Sequence, residues 1–114
     1  MRPKRGKKVW LDAYCFDSQL EADHYVYLRD LNRKGKIADL TIHPKYSIDI
    51  NGIHICDYTA DFKFLHAATN EYRVQDKKAW RKTKSGKLVP LMNRETPIVL
   101  KLMLACHNIL VEIV

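Results

Sequence analysis

The stretch "ADFKFLHAATNEYRVQDKKAW", residues 60–80, decides the fold because two runs rich in β-branched and aromatic residues flank a short polar turn. If the turn is symmetrical about the Ala-Thr pair at its centre, Asp61 lies directly opposite Asp76. Alternate residues of a strand share a face, so Lys78 projects together with Asp76. The hairpin therefore predicts two carboxylates and one lysine clustered on one face of a sheet.

Two opposed carboxylates destabilise a sheet, by roughly up to 1 kcal/mol, unless a cation or a shared proton relieves the repulsion. Mg²⁺ suits such a pair, because it binds one or two carboxylates, keeps several waters and borrows phosphate oxygens. Lys78 beside the ion could orient or deprotonate a water and stabilise charge on phosphorus. The cluster thus predicts phosphodiester hydrolysis, although an isolated Asp-x-Lys pair is also typical of ordinary surface charge.

The chain before this hairpin predicts one helix and two strands. The segment "FDSQLEADHYVYLRDLNRKGK" has apolar residues at helical spacing, with Ser18 as N-cap and Gly35 as the stop. Asn51-Gly52 between alternating runs is typical of a tight β-hairpin, whose second strand we expect to run on through Asp61. Pro44 is predicted at a bulge, an edge or a strand break, because it cannot donate to a ladder. The result is a three-stranded antiparallel meander.

The chain after the hairpin predicts a second helix and a last strand. The tract "RKTKSGKLVPLMNRE" is interpreted as a loop or small excursion. Thr96 is predicted as the N-cap and Pro97 as the first residue of the second helix, and "ILVEIV" is predicted as a closing strand. The order helix, three strands, helix, strand predicts an α+β domain over residues 9–114, with a mixed sheet flanked by helices.

Composition points to a polyanionic partner. A chain of 114 residues is long enough for one domain with a core, and its formal net charge of +7 favours nucleic acid. Residues 1–8 are predicted to be a flexible basic arm, which either grips DNA or only aids solubility. Its basic residues, all expected to contact DNA in the first case, are Arg2, Lys4, Arg5, Lys7 and Lys8.

The expected compartment is the cytoplasm. Cys15, Cys56 and Cys106 have no paired spacing, which suggests neither a disulfide framework nor a thiolate zinc site. No apolar segment has the length of a signal peptide core or a membrane span, so we expect no membrane partner.

The segments "FDSQLEADHYVYLRDLNRKGKI", "YTADFKF" and "VQDKKA", followed by "ETPIVLKLML" and a closing strand, resemble the PD-(D/E)xK nuclease superfamily. They are more closely similar to small phage proteins related to RecU-type Holliday junction resolvases, over roughly residues 8–114. The resemblance implies a restriction-endonuclease-like core and a Mg²⁺ cofactor for which Mn²⁺ can substitute. It implies these catalytic residues: Glu21, Asp61, Asp76 and Lys78. The three acids and the backbone carbonyl of Lys77 would hold the metal.

Glu21 has a second interpretation, because Ser18 followed three residues later by Glu is also a helix capping box. Ala60, Gln75 and Ala79 depart from the pattern of the superfamily. The resemblance implies an endonuclease for branched DNA, encoded by a phage, acting in the host cytoplasm as a homodimer that makes two symmetric cuts. The alternatives are a DNA-binding protein with weakened catalysis and a general Mg²⁺-dependent nuclease.

Basic residues beside the predicted site are expected to contact phosphates, with a solvated loop as the alternative. They are Arg81, Lys82, Lys84 and Lys87. Lys101 matches a lysine common in the resembling proteins, but a snorkelling helix lysine explains it as well. His24 is interpreted as a surface or partly packed residue. The other four histidines, His43, His54, His66 and His107, lack the spacing of metal ligands.

Overall fold

The computed structural model describes residues 7–114, which contain two helices and ten strands. The elements are β1 Val9–Leu11, β2 Tyr14–Phe16, α1 Gln19–Arg33, β3 Ile37–Ile42, β4 Lys45–Ile50, β5 Ile53–Thr59, β6 Phe62–His66, β7 Glu71–Asp76, β8 Trp80–Lys82, β9 Leu88–Pro90, α2 Glu95–His107 and β10 Glu112–Ile113. Within residues 7–114, neither helix has the combined length and apolar composition that a membrane crossing needs. The predicted α+β class is confirmed.

The central sheet has the strand order β10-β7-β6-β3. The β10–β7 pair is parallel and the other two pairs are antiparallel, so the predicted mixed sheet is confirmed. In the β6–β7 hairpin, Phe62 pairs with Gln75 and His66 pairs with Glu71. Continued by one residue, this register puts Asp61 opposite Asp76, as the symmetrical turn predicted.

A second hairpin, β4–β5, turns at Asn51-Gly52 as predicted. Ile50 pairs with Ile53, and both turn residues have positive φ, 52° and 79°. Such a two-residue turn matches the right-handed twist of the strands that it joins.

The prediction that the strand after Asn51-Gly52 runs on through Asp61 is wrong. That strand ends at Thr59 and a new one begins at Phe62, while the facing strand breaks at His43 and Pro44. Two backbone hydrogen bonds of 3.0 Å span the break. The His43 N–H donates to the Asp61 carbonyl, and the Ala60 N–H donates to the Pro44 carbonyl. Strands β3 and β4 therefore face strands β5 and β6 in one long bent hairpin. Pro44 and the left-handed backbone of His43 (φ 55°) interrupt its ladder of hydrogen bonds.

Two apolar clusters lie on opposite faces of the central sheet, because neighbouring residues of a strand point to opposite sides. The α1 cluster contains Phe16, Ala22, Tyr25, Leu28, Ile37, Phe62 and Phe64. The α2 cluster contains Ile48, Tyr58, Ala60, Val74, Met103 and Val111. Helices thus cover both faces of the sheet.

Both helices were predicted, but only one N-cap is confirmed. Ser18 caps α1, since its Oγ accepts the Glu21 N–H at 3.2 Å. The predictions of Thr96 as the N-cap and Pro97 as the first residue of α2 are wrong, because the helix begins at Glu95. The N-cap position is Arg94, whose side chain makes no capping bond, and the Thr96 N–H donates to Asn93 Oδ1 at 3.0 Å.

Two small hairpins were not predicted as strands. The β1–β2 pair packs beside α1, and the β8–β9 pair lies in the tract interpreted as a loop or small excursion. The closing strand is present, but only Glu112 and Ile113 pair with β7, and both are half-buried. Strands this short carry little alternation from which a sequence could predict them.

Candidate metal centre

Three side chains from different parts of the chain converge beside the central sheet. Glu21 lies in the first turn of α1, His43 at the break between β3 and β4, and Asp61 at the break between β5 and β6. One ligand atom from each lies within 4.8 Å of the other two. Two carboxylates and one imidazole at this separation are able to share a single cation.

Glu21 uses its backbone and its carboxylate for different purposes. Its N–H completes the helix cap on Ser18, as a capping box requires. Its carboxylate is turned inwards, is only 6% exposed, and lies with Oε1 2.7 Å from His43 Nε2. The capping interpretation therefore accounts for the N–H of Glu21 but not for the side chain.

Hydrogen bonds from backbone N–H groups link Asp61 to Asp76 and to the neighbouring Lys77. The Asp61 N–H donates to Asp76 Oδ1 at 3.0 Å, and the Lys77 N–H donates to Asp61 Oδ2 at 2.7 Å. The Tyr58 hydroxyl donates to Asp76 Oδ2, so both oxygens of Asp76 accept hydrogen bonds inside the protein. Asp76, 3% exposed, thus fixes Asp61 and stands outside the Glu21–His43–Asp61 cluster.

Lys77 contacts the site through its N–H, whereas the resemblance implied its carbonyl as a ligand. The side chain of Lys78 is half-buried and lines one cavity with Asp61 and Asp76. Asp61, Asp76 and Lys78 therefore line one cavity, although β7 ends at Asp76 and Lys78 lies beyond the strand. This group of residues adjoins the three-ligand cluster and shares Asp61 with it.

Burial raises the pKa of the Asp61 carboxyl to about 7, and the negative charges of Glu21 and Asp76 act in the same direction. The Lys77 N–H and the Lys78 ammonium oppose this effect but do not cancel it. Burial also raises the pKa of Tyr58, which keeps its hydroxyl a proton donor to Asp76. The Asp61 carboxyl therefore changes its protonation state near neutral pH.

Two open cavities meet at Asp61. One, of about 230 Å³, is lined by Lys78, Asp76 and residues at the start of α2. The other, of about 390 Å³, is lined by His43, Asp17 and Lys8. Each of the two cavities thus has a lysine in its lining, Lys78 in the first and Lys8 in the second.

The predicted DNA contacts are spread over several elements. Arg81, Lys82, Lys84 and Lys87 are exposed on the β8–β9 hairpin and its turn, which follow directly after the Asp76–Lys78 segment. Lys7 and Lys8 are exposed, and Lys101 is exposed on α2. Arg2, Lys4 and Arg5, with most of the predicted arm, lie outside the described residues.

His43 is the member of the cluster that sequence reasoning missed. A hairpin counted outward from Asn51-Gly52 would place His43 opposite Ala60. The ladder shifts by one residue between Ile48 and Asp49, and the shift brings His43 opposite Asp61. A β-bulge of this kind has no clear sequence signal, so the register could not be predicted.

A family model with the description "Protein of unknown function (DUF1064)" matches residues 1–94, and the chain therefore belongs to that family. The matched range contains Glu21, His43, Asp61, Asp76 and Lys78. No curated protein and no solved structure matches the chain.

Proposed function

We propose that this member of the DUF1064 family is a divalent-metal-dependent endonuclease that hydrolyses phosphodiester bonds of DNA on a restriction-endonuclease-like core. One observation carries the proposal: Glu21, His43 and Asp61 bring their ligand atoms within 4.8 Å of one another. The order of acid, acid and Asp-x-Lys along the chain supports it, as does the formal net charge of +7.

The residues present fit a divalent cation. Glu21 and Asp61 offer carboxylate oxygens, and His43 offers an imidazole nitrogen already 2.7 Å from Glu21. A bound ion would polarise the scissile phosphate and lower the pKa of a water. The resemblance to the PD-(D/E)xK superfamily implies Mg²⁺ or Mn²⁺ as this ion.

The remaining residues position and neutralise. Asp76 accepts the backbone N–H of Asp61 and so fixes the carboxylate beside the cation site. Lys78, in the same cavity, can orient the attacking water and balance negative charge on phosphorus. The exposed cations of the β8–β9 hairpin would contact phosphates along the bound strand.

We further propose that the substrate is branched DNA and that the active form is a homodimer. A Holliday junction offers two symmetric scissile bonds, and a two-fold dimer places one site at each. The basic hairpin beside the site suits a substrate with closely spaced phosphates.

A catalytically weakened DNA-binding protein is the second candidate. It is favoured by one observation, that both carboxylate oxygens of Asp76 are already occupied by the Tyr58 hydroxyl and the Asp61 N–H. Gln75, at a position where the superfamily often has an acid, is similarly engaged, with Oε1 2.9 Å from His24 Nε2.

The test is a cleavage assay with synthetic four-way junctions, linear duplex and single strands, each with Mg²⁺, with Mn²⁺ and with EDTA. Paired symmetric nicks confined to junctions, dependent on the metal and absent in Asp61→Asn, are expected. Asp30→Asn, which changes an exposed carboxylate on the far part of α1, should cleave normally. Binding of DNA without cleavage of any substrate would favour the second candidate, and metal-dependent cutting of every duplex would indicate a general nuclease.

A further inference from the structure

We infer that His43 is a direct ligand of the metal and that it makes the site prefer Mn²⁺ to Mg²⁺. The inference rests on the proposed metal site and concerns the choice of ion. No feature of the sequence pointed to His43, and only the geometry of the bent hairpin brings its side chain to the cluster.

The imidazole of His43 is held with one nitrogen towards the cluster. Its ring packs near Phe16, with 5.7 Å between the ring centroids, and its Nε2 lies 2.7 Å from Glu21 Oε1. Its backbone N–H donates to the Asp61 carbonyl at 3.0 Å, so the residue is tied to Asp61 as well. A cation between the carboxylates of Glu21 and Asp61 would therefore meet Nε2 without a large movement of the backbone.

The backbone of His43 is in an unfavourable conformation. Its φ is 55°, in the left-handed region, and the next residue is Pro44. A residue before proline is restricted to extended conformations, so this combination costs free energy that the surrounding structure must offset. The conformation turns the side chain out of the ladder and towards Glu21. In a regular, unbroken strand, the His43 side chain would not take this direction towards Glu21.

The donor set distinguishes between the two ions. Mg²⁺ takes oxygen ligands almost entirely and keeps most of its waters, whereas imidazole suits transition metals better. Two of the three donors are carboxylates, which are the ligands that Mn²⁺ shares with Mg²⁺. One nitrogen and two oxygens leave about three positions of an octahedron for water and phosphate oxygens. Mn²⁺ accepts the imidazole nitrogen more readily than Mg²⁺ does, and it also binds the two carboxylates.

Spectroscopy on the full chain tests the assignment without any variant. Electron paramagnetic resonance measures Mn²⁺ binding from the loss of the free-ion signal, and added Mg²⁺ measures the relative affinity by competition. We expect Mn²⁺ to bind at least about tenfold more tightly than Mg²⁺. The spin-echo modulation of bound Mn²⁺ should show a directly coordinated nitrogen.

A matched pair of variants assigns that nitrogen. His43→Gln replaces the imidazole with an amide oxygen donor. It should weaken Mn²⁺ binding by about tenfold or more, change Mg²⁺ binding by less than about threefold, and abolish the nitrogen coupling. His24→Gln makes the same change at a half-buried histidine one turn after Glu21 that is bonded to Gln75, and both binding and coupling should persist.

The outcomes separate this inference from the proposed nuclease function. Equal affinities for the two ions, or bound Mn²⁺ without a nitrogen signal in the unmodified protein, would overturn the inference while metal-dependent cleavage could stand. Tight, nitrogen-coordinated Mn²⁺ with no cleavage of any DNA would support the inference and overturn the nuclease. A protein that binds neither ion would overturn both.

Discussion

Two clusters of histidine and aspartate in this molecule have similar chemistry and opposite surroundings. In the candidate metal centre, His43 meets Glu21 and Asp61 where three elements converge, and Glu21 is almost fully buried. On the β4–β5 hairpin, His54 has Asp49 at Nδ1 (2.7 Å) and Asp57 at Nε2 (3.4 Å). The side chains of His54 and Asp49 are 52% and 51% exposed.

The cluster on the β4–β5 hairpin is not arranged to share one cation, because its two carboxylates lie at different nitrogens of the His54 ring. Electrostatics separate the clusters as well. A hydrogen bond from His54, assisted by Ser47, lowers the pKa of Asp49, whereas burial raises the pKa of Asp61 to about 7. Residue types alone therefore do not make a metal site. Convergence from separate elements and loss of solvent distinguish the two clusters.

Asp61→Asn should reduce activity far more than the matched change in the exposed His54 cluster. The amide can still accept the Lys77 N–H but loses the charge that binds the cation, so metal-dependent cleavage should fall by about a hundredfold or more while DNA binding persists. Initial cleavage rates with saturating Mn²⁺ measure the loss. Asp49→Asn, the matched change in the exposed cluster, should leave the rate unchanged.

The pH dependence of stability should show the same contrast. An acid with a raised pKa in the folded state binds its proton more tightly there than in the unfolded chain, so ionising it destabilises the fold. The ordinary pKa of an aspartate is 3.8, and that of Asp61 in the folded protein is about 7. Without divalent cations, the contribution of Asp61 to the free energy of unfolding should therefore decrease as the pH rises from 3.8 to about 7, by an amount on the order of a few kcal/mol. Thermal unfolding in EDTA from pH 4 to 8 measures it.

Two controls sharpen this pH experiment. Asp61→Asn should remove the decline, and Mn²⁺ should restore stability more strongly at pH 8 than at pH 5, since a cation replaces the proton. The contribution of Asp49 to stability should depend on pH in the opposite direction. Because its pKa is lowered in the folded protein, Asp49 stabilises the fold above its ordinary pKa, and this stabilisation is lost as the pH falls. A decline that persists unchanged in Asp61→Asn would show that another group causes it.

Two tyrosines on the bent hairpin offer a smaller and closely matched test. Tyr58 and Tyr46 are cross-strand partners. The Tyr58 hydroxyl donates to Asp76, whereas the buried Tyr46 hydroxyl has no hydrogen-bond partner among residues 7–114. Tyr58→Phe should cost about 1–3 kcal/mol, because it leaves a buried carboxylate oxygen unsatisfied. Tyr46→Phe should be neutral or slightly stabilising. Denaturant unfolding measures both changes, and equal losses would argue against the Asp76 bond.

The basic β8–β9 hairpin should show the smallest effect per residue. Lys84→Ala should weaken binding to all DNA sequences by a few-fold and reduce the slope of log affinity against log salt by about 1. Lys34→Ala, at the end of α1 and paired with Asp30, is the control and should leave the slope unchanged. Titrations of labelled DNA at several salt concentrations test the difference.

Much of this architecture could be predicted because local chemistry specifies it. Ser18 and Gly35 bound α1, Asn51-Gly52 gives the turn residues that a tight hairpin needs, and the polar turn after β6 sets a symmetrical register. Each signal acts within a few residues, so a single sequence reveals it. The opposition of Asp61 and Asp76 follows from that register alone.

The composition of the candidate metal centre depended on the tertiary structure. A β-bulge and a proline break bring His43 opposite Asp61, and packing of α1 on the sheet turns Glu21 inwards. Asp76, predicted as a ligand, accepts hydrogen bonds from the Asp61 N–H and the Tyr58 hydroxyl. Local sequence signals thus specified the turns of the β4–β5 and β6–β7 hairpins and the opposition of Asp61 and Asp76. Only the folded chain decided which side chains share one buried point, since convergence in space leaves no periodicity in the sequence.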